Sequence, residues 1–185
     1  LKKFFRTYAS LIGLAVLVVL IDQFTKALVR TNLAFGEIWS PWDWLTPYAR
    51  IVHWQNTGAA FGIFQGFSLV FTVLAILVSL AIFYYYPRVP AEDKTLRLAM
   101  SLQLGGALGN LVDRVLQNGQ VTDFISVGNF AVFNVADSSI SIGVVVLLLG
   151  VWWKDRQEKK HLADSSPDEP PKTQSEIRVE GSGGE

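Results

Sequence analysis

The sequence predicts an all-α membrane protein of four transmembrane helices with both termini cytoplasmic, and three observations predict it. Half of the 185 residues are hydrophobic and only 17% are charged, a balance too apolar for an ordinary water-soluble domain. Four mostly apolar stretches, at about 8–29, 67–86, 96–116 and 133–153, approach the roughly 20 helical residues that cross a bilayer core. Basic residues crowd one side of them. Lys2, Lys3, Arg6, Arg88, Lys94, Arg97, Lys154, Arg156, Lys159 and Lys160 share that side if the spans alternate, against Arg30 and Arg50 in the opposite loops, and an excess of Lys and Arg marks the cytoplasmic side.

Taken in order, the first span follows Lys2, Lys3 and Arg6, and no small-residue cleavage site follows its apolar run, so it reads as a retained anchor. The outward loop from Arg30 to Gly66 is long for a bundle connection, and long ordered loops tend to be functional. Within it Trp39, Trp42 and Trp44 alternate with Pro41 and Pro47, a composition suited to the headgroup level of a bilayer. The run Ile51-Val52-His53-Trp54 favours a short strand, so the loop is expected to hold a small sheet with His53 in a structural role. The second span carries no charge. In the third, Gly105 and Gly109 allow close helix approach, and Asn110, Asp113 and Arg114 follow on one face. After the fourth span the chain turns to Pro, Ser, Glu, Asp and Gly, which predicts a four-helix membrane domain over 1–158 and a disordered cytoplasmic tail over 159–185.

Composition also removes whole classes of chemistry. Without cysteine there is no thiol nucleophile, thiolate metal site or disulfide. His53 and His161 have no ligand spacing, so no metal and no cofactor is expected, and zero net charge offers no attraction for nucleic acid.

What stays is a set of acids where lipid should be, each needing a partner, a cavity or a function. Asp22 and Lys26 are four apart, acid first, and read as a structural ion pair, with Lys26 near its helix end and able to snorkel to water. Asp113 adjoins Arg114, which can neutralise its surroundings. Asp123 and Asp137 have no basic neighbour in sequence and lie at the outer boundary, after the third helix and one turn into the fourth. Asn134, three residues before Asp137, shares its face. Spacing alone leaves a helix-dipole role for Asp137 open. Two carboxylates held close share one proton, so one can activate water while the other hydrogen-bonds a carbonyl. Rival readings are a serine–lysine dyad of Ser138 or Ser139 with Lys26, and a small transporter or ion-binding bundle with Asp22, Asp113, Asp123 and Asp137 along a cation path.

These residues sit in blocks that resemble the bacterial lipoprotein signal peptidases, the type II signal peptidases. The blocks are Asp22-Gln23-Phe24-Thr25-Lys26, Asn56-Thr57-Gly58-Ala59-Ala60-Phe61-Gly62, Gly109-Asn110-Leu111-Val112-Asp113-Arg114, Val121-Thr122-Asp123-Phe124 and Phe133-Asn134-Val135-Ala136-Asp137-Ser138. The resemblance implies an aspartyl endopeptidase that cuts the signal peptide from a diacylglyceryl-modified prolipoprotein just before its lipidated cysteine. It implies Asp123 and Asp137 as the catalytic pair, Asn56, Gly58, Asn110, Arg114 and Asn134 as substrate-binding or supporting residues, and Asp22 with Lys26 as stabilising. It further implies a small extracytoplasmic β-cradle, a short interfacial helix near Trp39 to Trp44, a location in the bacterial inner membrane among its lipids, and a site at the extracytoplasmic face. A monomer is the expected state.

Overall fold

The computed structural model describes residues 2–58 and 66–165. Helix α1 (Lys2–Asn32) leads into strands β1 (Ile38–Trp39) and β2 (Ala49–Asn56), then helix α2 (Ser68–Tyr85) with a 3-10 turn at Tyr86–Arg88. Helix α3 (Lys94–Leu116), strand β3 (Val121–Val127) and helix α4 (Val135–Ser165) follow. The predicted spans 8–29 and 96–116 lie inside α1 and α3, while 67–86 and 133–153 begin one and two residues before α2 and α4. Three helical segments, Thr7–Asn32, Ser68–Arg88 and Val135–Lys160, are long and apolar enough to cross a membrane, and α3 is not one of them. Its composition follows from its place: α3 packs against both α1 and α2 and buries Leu104, Gly105, Gly106, Gly109, Asn110 and Asp113. A helix shielded by its neighbours can carry polar residues that a lipid-facing helix cannot.

The contacts divide the chain into Leu1–Gly150 and Val151–Glu185. In the first unit, one end of the bundle is closed by a core of Leu11, Ala15, Ile82, Tyr86 and Leu104. There the buried Tyr86 hydroxyl lies 2.7 Å from Ser10 Oγ and the Arg97 guanidinium sits 4.7 Å from the Tyr86 ring centre, so a polar tip and an aromatic face are both satisfied. Further along, small residues set the helix spacing. A Cβ on Gly105 would come within 2.7 Å of Val18 Cβ, one on Gly109 within 2.8 Å of Asp22 Oδ2, and one on Gly106 would collide with the Ala136 carbonyl. Gly105 and Gly109 thus admit α1, as the GxxxG spacing predicts, while Gly106 admits α4. Outward-facing Leu17, Leu20, Phe24 and Leu28 on α1 and Leu69, Leu77 and Leu80 on α2 are exposed, which suits helices whose solvent on that side is lipid.

The opposite end carries an antiparallel sheet in the order β1-β2-β3. The expected strand around Ile51 to Trp54 is β2, the central one. A register shift lies between Ile51 and Trp54: Ile51 pairs with Ile125, but Trp54 pairs with Asp123, three residues facing two. Opposite this bulge the backbone N–H groups of Phe124 and Ile125 donate to Phe133 O at 3.0 and 2.8 Å. Bulges bend a strand and re-aim its side chains, and this one allows the chain entering α4 to dock beside β3.

Three expectations are corrected here. The Trp39–Trp44 stretch is no helix: Trp39 ends β1, and 41–48 form successive bends and turns held by bonds such as Leu45 N to Trp42 O at 3.0 Å and Tyr48 N to Leu45 O at 2.8 Å. Pro41 and Pro47 remove donors that a regular helix would use. Arg30 belongs to α1, not to the loop. In the second unit, α4 continues to Ser165, past the expected tail boundary at Lys159, supported by a Lys159–Asp155 pair at 2.8 Å. The rest of the expected tail, 166–185, lies outside the described residues.

Candidate active site

At the sheet end, the first turn of α4 is a reciprocal cap. Asn134 Oδ1 accepts the Asp137 N–H at 2.9 Å, and Asp137 Oδ2 accepts the Asn134 N–H at 3.2 Å, so two donors that a helix start leaves unmet are paired with each other's side chains. A third donor, Ala136 N–H, reaches Asp22 Oδ1 of α1 at 2.9 Å. The carboxylates therefore gather where the helix dipole favours negative charge.

Asn134 also reaches the other acid. Its Nδ2 donates to Asp123 Oδ1 at 2.7 Å, while Asn56 Nδ2 donates to Asp123 Oδ2 at 3.1 Å. The remaining Asp137 oxygen accepts from Asn110 Nδ2 at 2.7 Å. Asn110 is itself fixed, its Oδ1 accepting from Lys26 Nζ at 3.0 Å and from Asn134 Nδ2 at 3.1 Å. Asp123 and Asp137 are thus held by three asparagines from β2, α3 and the start of α4, a connected network of the kind that fixes geometry. Burial pushes the Asp123 carboxyl up to about 7, and the nearby Asp137 carboxylate adds to it, against the opposing pull of the Asn56 and Asn134 donors and the Lys26 charge.

Both aspartates open onto a cavity of about 750 Å³, with Asn56, Gly58, Asn110 and Arg114 at the same polar end. The remaining walls are mostly apolar, from Phe71, Leu74 and Val78 of α2 and Ile140 and Val144 of α4. Arg114 Nη1 lies 3.5 Å from Asn110 O and its Cζ 5.6 Å from the Phe71 ring centre. Its Nε is buried and has no hydrogen-bond partner among the described residues. The residue as a whole is only partly buried and lines the cavity, so its guanidinium can meet an acceptor from outside the chain.

The other two acids belong to a second network on the α1 side, joined to the first through Lys26 and Asn110. Lys26 Nζ lies 2.8 Å from Asp22 Oδ2 and 3.3 Å from Asp113 Oδ2. Arg30 Nη1 lies 3.4 Å from Asp113 Oδ1, Gln23 Nε2 donates to the same oxygen at 3.0 Å, and the Thr122 N–H donates to Asp113 Oδ2 at 2.8 Å. Two sequence expectations change. Asp113 is met by Lys26 and Arg30, not by the adjacent Arg114, because adjacent helical residues point apart. Lys26 is fully buried rather than snorkelling. Arg30, Gln23 and Thr122 were missed as members. Their signal was present for Arg30 at least, since Asp22, Lys26 and Arg30 recur every four residues on one face of α1.

The serine–lysine alternative finds no support in the geometry. Ser138 Oγ donates to Asn134 O at 2.9 Å and Ser139 Oγ to Val135 O at 2.9 Å, the self-contained bonding usual for helical hydroxyls, while Lys26 is engaged with Asp22, Asp113 and Asn110. His53 Nδ1 lies 2.9 Å from Leu33 O, a structural tie between the sheet and the end of α1. Of the block beginning at Asn56, residues 59–62 lie outside the described residues.

Comparison with known proteins adds three findings. The family described as Signal peptidase (SPase) II matches residues 14–153. A lipoprotein signal peptidase of Staphylococcus aureus strain MRSA252 is 36% identical over 163 residues, 86% of this chain and 96% of the relative, and that of strain JH9 is 35% identical over the same shares. A solved bacterial membrane enzyme superposes with a TM-score of 0.71 at 31% identity, covering 89% of this chain and 94% of that one. A second gives 0.68 at 34% identity, covering 77% and 92%.

Proposed function

Because the chain belongs to the signal peptidase II family, an aspartic-type peptidase acting on lipoprotein signal peptides, we propose that Asp123 and Asp137 are its catalytic dyad. The observation that carries this is Asn134, whose side chain binds Asp123 while its amide and backbone cap Asp137. One residue thus holds two carboxyls, the buried Asp123 and the partly buried Asp137, at one end of one cavity. With a single proton between them, the ionised partner takes a proton from water as the oxygen attacks the scissile carbonyl. The protonated partner hydrogen-bonds that carbonyl oxygen and stabilises the developing charge. Collapse of the tetrahedral intermediate breaks the C–N bond, and a proton passes from the dyad to the leaving amine. The pair titrates jointly, so the two roles belong to the dyad as a unit. Arg114, whose partly exposed guanidinium lines the cavity, is assigned to a substrate carbonyl.

The substrate is a prolipoprotein carrying diacylglyceryl on cysteine, cut immediately before that residue, and the apolar walls of α2 and α4 receive signal peptide and acyl chains. In this reading α3 is a fourth span shielded by the other three, both termini are cytoplasmic, and the aspartates face the extracytoplasmic side of the bacterial inner membrane. The enzyme works as a monomer.

The test is cleavage of a diacylglyceryl-modified precursor by Asp123→Asn and Asp137→Asn in detergent. Each variant is expected to melt cooperatively and to show no cleavage. A folded variant with wild-type activity removes the dyad from the mechanism.

A further inference from the structure

We propose that Gln103 and Ser141 form a hydrogen-bonding station for the backbone of the signal peptide, a specificity-determining pair set deeper in the cavity than the aspartates. The inference rests on the peptidase reading above and extends it from the scissile bond to the residues before it.

Gln103 and Ser141 both line the cavity. Gln103, Ala107, Asn110 and Arg114 form one stripe of α3 at helical spacing, and Asp137, Ser141 and Val144 form another on α4. Neither polar side chain has a hydrogen-bond partner within the described chain, although neighbouring hydroxyls do: Ser138 and Ser139 bond back to Asn134 O and Val135 O, and Ser101 bonds to Arg97 O. Ser141, two residues beyond Ser139, keeps its hydroxyl free. Gln103 is also placed rather than loose, because a Cβ on Gly143 would lie 3.0 Å from Gln103 Cγ. The glycine leaves room for the stem to cross α4, so the amide ends in the cavity.

Gln103 is half-buried and Ser141 exposed at the cavity wall, so both polar groups are open to a ligand, and where the surrounding solvent is lipid an unmet amide and hydroxyl are costly unless one completes them. A peptide about to be hydrolysed is extended near the scissile bond, so it brings unpaired N–H and C=O groups into that apolar groove. Gln103 and Ser141 can each donate and accept. Ester oxygens of an acyl chain only accept, so they would leave half of the Gln103 amide unmet, and backbone amides fit the pair better. Ser141 is four residues from Asp137, and Gln103 seven from Asn110. At about 1.5 Å per helical residue and about 3.3 Å per extended residue, the station lies roughly two to three substrate residues before the scissile bond.

The experiment uses the full-length protein and synthetic diacylglyceryl-cysteine peptides in which one backbone amide at a time, two to four residues before the cysteine, is replaced by an ester. Wild type is expected to lose about tenfold in kcat/KM at the position that meets Gln103 and again at the one that meets Ser141, each the effect of one hydrogen bond. Gln103→Met, close in shape, is expected to lose about tenfold on the all-amide peptide and to show no further loss with the ester at the Gln103 position. Ser141→Ala should behave likewise at its own position, and Ser141→Thr should restore the hydroxyl. Equal losses on every peptide, with the ester penalty intact in both variants, would overturn the station in favour of mere packing. A Gln103→Met loss that disappears when the acyl esters are replaced by ethers would also overturn it, by assigning the contact to lipid. Wild-type cleavage of the all-amide peptide is the reference, and its absence sinks the parent reading along with this one.

Discussion

Two pairs of acids lie on either side of α3, and they are satisfied in opposite ways. Asp22 and Asp113 meet cations: Lys26 touches both, and Arg30 touches the second. Asp123 and Asp137 meet neutral amides, from Asn56, Asn110 and Asn134. Both pairs are held in place, but only the second is left without a directly bonded countercharge, so its ionisation is not fixed by a salt bridge. A cation commits an acid to its ionised form, whereas an asparagine orients a carboxyl and still leaves it able to exchange a proton. Inside a membrane protein, the kind of partner therefore separates an acid that holds helices together from one that can do chemistry.

The comparison breaks most easily by exchanging the consequences of equivalent substitutions. Asp123→Asn is expected to lower the cleavage rate by at least about a thousandfold, the scale of a lost general acid–base group, while the melting transition stays cooperative. Lys26→Met should do the reverse. It strands Asp22 and Asp113 without their shared cation, a loss of about 3–5 kcal/mol for a broken buried pair, read as a lower melting temperature in detergent, while the folded fraction still cleaves far faster than Asp123→Asn, slowed only through the lost Lys26 bond to Asn110. If Lys26→Met proves as stable as wild type, the two pairs do not differ as argued.

A finer test is pH. Asp123 sits at about 7, above the usual carboxylate range, so cleavage that needs one shared proton should decline as pH rises through about 7. The Asn56 amide stabilises ionised Asp123, so Asn56→Ala should move that decline upward by up to about one pH unit. The same raised value penalises folding of the ionised form, and the sign follows: stability is retained below about 4 and is lost as pH rises to about 7. Asp123→Asn removes the penalty, so it should melt above wild type at pH 8 and level with it at pH 4. The smallest effect is expected from Ser138→Ala combined with Ser139→Ala, whose hydroxyls serve only their own helix. Cleavage should stay within about twofold of wild type, and a large loss without unfolding would restore serine chemistry.

Much of this was readable from the chain because the signals were local. Apolar runs gave each helix to within several residues at most ends, and Gly105 and Gly109 announced the close approach of α1. What escaped reading depends on tertiary contact. The Asp113 carboxylate finds Lys26 and Arg30 on another helix, which no spacing within α3 could reveal. The bulge opposite Phe124 arises only when Phe133 returns to the sheet, and it is this return that carries Asn134 to Asp123. The extension of α4 to Ser165 was missed for a different reason: its charged last turns read as tail, yet Asp155 and Lys159 support the helix without any core. Legibility also differed along the cavity, since Asp123 and Asp137 lay in recognisable blocks and Gln103 and Ser141 lay in none.

The reciprocal cap between Asn134 and Asp137 has one more consequence, for inhibition. A compound that competes for the Asp137 carboxylate must either leave the Asn134 N–H bond intact or unravel the opening turn of α4, and unravelling adds a slow step to association. Compounds that insert a hydroxyl between the two aspartates without disturbing the cap should bind quickly. Those that pull Asp137 from its own backbone should bind slowly and leave slowly, so residence time becomes a kinetic readout of whether the helix start has yielded.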